Sequence, residues 1–141
     1  MEKFVFLNHV ADVLFVAQGF TLEEAMQNAA LAMFETIADT SKIKPKYKFE
    51  IEERADNLEE LAVYALSTML SIAEAKEMHF KKFEVKSLKK DEKGVHTIKG
   101  TAFGDESESE NGRTVVKAVA MAEAKVWKDN KIWKIQLILD I

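Results

Sequence analysis

The feature that most constrains this chain is a change of hydrophobic period near residue 80. Before it, two long segments carry apolar residues every three or four positions, which is a helical pattern; after it, apolar residues alternate or run continuously in short stretches, which is a strand pattern. Two helices followed by consecutive strands with short connections do not build the alternating units of a parallel sheet. They point to an α+β domain, two amphipathic helices packed on an antiparallel or mixed β-sheet.

The first helix starts at Thr21, where the threonine-x-x-glutamate spacing of Thr21 and Glu24 makes a capping box. Leu22, Met26, Ala29, Met33 and Ile37 then form one apolar stripe. "DTSKIKP" ends it, and the only proline, Pro45, leads into a strand in which Phe49 and Ile51 alternate with Lys48, Glu50 and Glu52. The second helix takes its cap from Asp56 or Asn57 and its stripe from Leu58, Leu61, Ala65, Met69 and Ile72. Strands are expected at 3–7 and 13–18, around Phe83 and Val85, and from Val95 to Ala102. In "TVVKAVAMAEAKVW" the alternation places Val116, Ala118, Ala120, Ala122, Ala124 and Val126 on one face, with Lys117 on the other. "IWKIQLILDI" reads as a closing apolar strand, and "GDESESENG" as a solvated acidic loop.

With 141 residues the chain makes one domain, 1–141, large enough for its own core. The absence of cysteine removes thiolate metal sites, catalytic thiols and disulfides together. No stretch has the length of a membrane span, and the N-terminus lacks the form of a signal peptide, so a cytoplasmic protein is expected. A net charge of −4 lacks the basic footprint of a free-standing nucleic-acid binder, and no strong direct binding to nucleic acid is expected. Nor is there a phosphate loop, dinucleotide fingerprint, serine elbow or paired-histidine zinc motif.

The chemistry sits where polarity interrupts an apolar run. In "NHVADVLF", His9 and Asp12 fall between two strands, and "ILDI" puts Asp140 inside an apolar strand just before Ile141. If the first and last strands are neighbours in the sheet, Asp12, Asp140 and the terminal carboxylate of Ile141 gather up to three negative charges, which repel unless protonated or neutralised. Oxygen-only ligation of this kind suits calcium, magnesium or manganese better than zinc. The residues alone leave other readings open: Asp12 as a turn residue, Asp140 at a frayed end, and Lys117 as a solvated lysine. Also open are a metal-dependent hydrolase that uses the cluster as a Lewis acid, and a chaperone-like module with methionine-bearing helix faces.

These stretches resemble the archease family. "NHVADVLF" is similar to its histidine-threonine-alanine-aspartate-valine opening, "TLEEAMQNAALAMFETIADTS" to its first helix, "VVKAVA" to its valine-lysine-alanine segment, and "ILDI" to its ending. The resemblance implies an archease-like α/β sandwich and a cytosolic accessory protein, not an enzyme, that activates the GTP-dependent tRNA-splicing RNA ligase of the RtcB type. Activation there means promoting ligase guanylylation and multiple turnover. It further implies Asp12, Asp140 and Ile141 as ligands of a divalent ion, calcium by preference, with Lys117 and His9 functional beside them. The chain departs from the family pattern at Val115, Ala120, Met121 and Ala122, in the second helix at "VYALSTMLSIAE", and in the loop "GDESESEN".

Overall fold

The computed structural model describes residues 1–141. Seven strands and two α-helices follow in the order β1 (Phe4–Leu7), β2 (Asp12–Gly19), α1 (Leu22–Ile37), β3 (Tyr47–Ala55), α2 (Leu58–Lys76), β4 (Met78–Lys90), β5 (His96–Glu106), β6 (Ala118–Asp129) and β7 (Ile132–Asp140). They make an α+β fold with two sheets rather than one. The first has strand order β1-β2-β7-β6, the second β3-β5-β4, and every pairing is antiparallel. No helix is long and apolar enough to cross a membrane.

Each helix packs on both sheets, α1 against β2, β7 and β4, and α2 against β6, β3 and β5. Of the residues in α1 only Glu23 is exposed, so the alanines at 25, 29, 30 and 32 are fully buried beside Met26 and Met33. A stripe of five residues understates that burial, because a helix with sheets on two sides needs small apolar residues over most of its circumference. Its N-terminal cap forms at Thr21, whose hydroxyl accepts from the Glu24 N–H at 3.1 Å. The reciprocal limb goes one residue further back than a capping box requires, with the Glu24 carboxylate accepting from the Phe20 N–H. Asn57, not Asp56, caps α2, through a 2.8 Å bond from the Glu60 N–H.

Period-2 alternation sets the inner face of the first sheet. Phe15 and Ala17 of β2 and Ile135, Leu137 and Leu139 of β7 are fully buried against the helices, which turns Asp12 and Asp140 to the outer face. In β6 the expected alternation fails. The buried residues are Val116 and Val119, whereas Ala118 and Ala122 are exposed. Val116 precedes the strand, and between Ala120 and Lys125 the register against β7 shifts, with Glu123 at φ 59. A bulge of this kind ends the face-to-face count on which the reading depended. The acidic loop also starts later than its composition suggests: Gly104 is a buried member of β5, paired with Tyr47 and Phe80.

Candidate metal centre

The segment "NHVADVLF" forms the connection between β1 and β2. Leu7 pairs with Leu14, and Ala11, at φ 65, turns the chain in the left-handed region before β2 begins. Asp12 therefore belongs to the ladder and not to the bend. It lies beyond the reach of β1 and pairs only with β7, where its partner is Asp140. The strand adjoining β7 on this side is the second of the chain; the first is an edge strand. On the other side of β7, Ala118 of β6 stands opposite Asp140, and the Lys117 N–H donates to the Asp140 carbonyl at 2.7 Å.

Directly opposed residues of an antiparallel pair share one face, with Cβ atoms about 4.5–5.5 Å apart. Two carboxylates thus stand side by side on the outer face, next to the small side chain of Ala118. Both are partly exposed, Asp12 to 33% by side chain, and neither forms an ion pair with a lysine or arginine. The Lys117 side chain is exposed and unpaired, so its link to the site runs through its backbone. Ile141, exposed, follows directly.

His9 enters from the β1–β2 connection. Its Nδ1 lies 3.8 Å from an Asp12 carboxylate oxygen and its Nε2 lies 3.4 Å from Glu123. Glu123 reaches this place because of the bulge in β6, which is held over the outer face by a 2.9 Å bond from the Gln136 side chain to the Glu123 carbonyl. The structure thus brings together His9, Asp12 and Asp140, ties the Lys117 backbone to them, and adds Glu123. The sequence carries no direct sign of Glu123, since its position depends on a bulge inside an apparently regular strand.

No group of three or more histidine, aspartate or glutamate side chains gathers so as to hold a metal ion by itself. Two opposed carboxylates with main-chain oxygens at the adjoining strand end are nevertheless a donor set that fits a hard cation. Calcium accepts backbone carbonyls, and both calcium and magnesium keep water to complete their shells. A zinc site would instead want nitrogen or sulfur ligands in a closed tetrahedron. The two carboxylates and the adjoining main-chain oxygens fit an oxygen-seeking divalent ion.

Comparison with known proteins places the chain among its relatives. The model of the archease protein family matches residues 4–141. The protein archease of Methanosarcina mazei is 38% identical, over 99% of this chain and 97% of its own, and that of Sulfolobus acidocaldarius is 36% identical with both chains covered completely. The solution structure of Methanobacterium thermoautotrophicum protein 1598 superposes with a TM-score of 0.88 at 32% identity, covering all of both chains. The crystal structure of a Thermotoga maritima archease, described as a possible chaperone, has a TM-score of 0.61 at 15% identity, covers 96% of this chain and 94% of its own, and shares the fold. None of these names is that of an enzyme.

Proposed function

The chain belongs to the archease family, and from that membership we propose that it activates the GTP-dependent tRNA-splicing RNA ligase of the RtcB type, promoting ligase guanylylation and multiple turnover. The role is accessory and not catalytic. Its coarser form, a protein that acts on another protein, agrees with the description of the Thermotoga maritima relative as a possible chaperone. The cytoplasm is the proposed location.

The observation that carries this reading is the register pair Asp12 and Asp140. In the proposal these two carboxylates, with main-chain oxygens of Ile141, hold one divalent ion, calcium by preference. When bound, the ion supplies a positive charge that offsets the two acids. The chain's own residues do the rest. The β2–β7 register sets Asp12 opposite Asp140, the Lys117 N–H fixes the Asp140 main chain, and His9 lies between Asp12 and Glu123 of the bulge. Val10, in the connection that carries His9, and Met121, two residues before Glu123, are exposed apolar residues suited to transient contact with a protein partner.

Mixing the protein with its ligase, GTP and an RNA bearing a 3′-phosphate tests the reading. Ligation is expected to pass from a single turnover to many, and Asp12→Ala and Asp140→Ala are expected to abolish the gain while remaining folded. A ligase left unstimulated by the unaltered protein contradicts it.

A further inference from the structure

A cleft of about 490 Å³ opens where α1 and α2 end, between the first residues of β4 and the segment 107–116. Its size lies within the ordinary range for binding pockets. Leu70, Ala73, Met78 and Val116 give it an apolar floor. Its rim carries two acids, Glu74 and Glu77, which line it from the end of α2 and face Ser107 and Ser109 of the other wall. Neither carboxylate has an ion-pair partner.

The cations nearby do not neutralise this rim. Arg113 lines the cleft but is engaged elsewhere, with one guanidinium nitrogen 3.1 Å from the Glu35 carboxylate and another 3.7 Å from Asp39. Lys76 is exposed in the last turn of α2 and forms no ion pair. Lys46 is turned to Tyr47 and feels Asp105 and Glu106 rather than the rim. His79, also in the lining, has a buried Nδ1 without a hydrogen-bond partner, and burial lowers its pKa, so the imidazole adds no positive charge near neutrality.

Local stability does not explain the acids. Glu74 and Glu77 stand at a helix C-terminus, where the dipole favours cations, and Glu77 occupies the left-handed cap at φ 54, a conformation that suits glycine. Carboxylates placed against both preferences, over an apolar floor, are complementary to a ligand that is basic and apolar at once. We propose that this cleft docks a short basic segment of a partner protein, with an apolar side chain on the Leu70–Met78 floor and a lysine or arginine against Glu74 and Glu77. Phosphate-bearing chains are repelled by the same rim.

The cleft and the aspartate pair are joined by one strap. Arg113 N–H and Thr114 N–H bond to the carbonyls of Ile37 and Thr36 at the end of α1, and four residues on Lys117 bonds to Asp140. The inference goes beyond the ligase reading and does not depend on it.

The test is a titration of isotope-labelled protein, followed by amide shifts, with the capped pentapeptide lysine-leucine-arginine-leucine-lysine, with its glutamine-for-base counterpart, and with a uridine hexanucleotide. The basic peptide should shift amides of residues 70–79 and 107–116, and the Glu74→Gln/Glu77→Gln variant should weaken it by about tenfold, as should high salt. Asp140→Asn should leave its affinity unchanged, which separates this surface from the metal centre. Equal binding of the glutamine peptide, shifts confined to other surfaces, indifference to the double variant, or tighter binding of the oligonucleotide to the same amides would each overturn the proposal.

Discussion

Replacing Asp140 by asparagine removes one of two like charges and leaves the shape of the side chain unchanged. Because Asp12 and Asp140 are register partners on one face, their Cβ atoms stand about 5 Å apart, and two charges at about that separation, at an effective dielectric between about 40 and 80, repel by about 1–2 kcal/mol. In chelator, at low salt and at about pH 8, Asp140→Asn should therefore stabilise the fold by about 1 kcal/mol. In a domain of this size that raises the melting temperature by about 2–5 °C. Asp12→Asn should do the same, and the double variant should gain no more than either single one, because the repulsion is removed only once. Molar salt should erase most of the gain. Calorimetry or urea titration reads each quantity. Two single variants that destabilise the protein, or whose effects add in full, would refute the opposed-carboxylate geometry.

Two further outcomes are expected. A methyl group at Gly104 would lie 2.2 Å from the His79 carbonyl and 2.9 Å from the Phe80 Cα, both backbone atoms, so Gly104→Ala should cost about 3 kcal/mol in urea unfolding; a loss under about 1 kcal/mol would show that the β4–β5 ladder gives way easily. His79 should titrate below its ordinary value of 6.5 by proton NMR because burial disfavours its charged form. The unfolded chain then binds a proton before the native one, so this stability is present above 6.5 and is lost as pH falls through the lower native value. His79→Gln should flatten that slope, and a ring titrating at or above 6.5 would contradict the assignment.

Much of the fold is legible because it follows from local rules. Thr21 and Asn57 are capping residues followed by helical stripes, and the turns at 91–94 and around 130 separate alternating or apolar runs. What local rules do not carry is the number of layers. The second sheet appears only in the strand pairing and in the way it covers α1, where every residue but Glu23 is at least half-buried and Ala25 and Ala32 are fully so. Alanine is compatible with either arrangement. Asp12 and Asp140 stand out in sequence because each breaks an apolar pattern, yet their being opposite each other depends on a register set by Phe15, Ala17, Leu137 and Leu139 packing inward. Glu123 is illegible for the opposite reason. Its run looks regular, and the bulge that swings it toward His9 is a property of the paired strands, absent from either one alone.

If the ends of β2 and β7 hold one cation between them, calcium titrated calorimetrically into chelator-treated protein will bind there. The titration should show a single site whose binding is lost in Asp12→Asn and, separately, in Asp140→Asn. Calcium binding that survives either substitution unchanged, or a protein that takes up neither calcium, magnesium nor manganese, would contradict it.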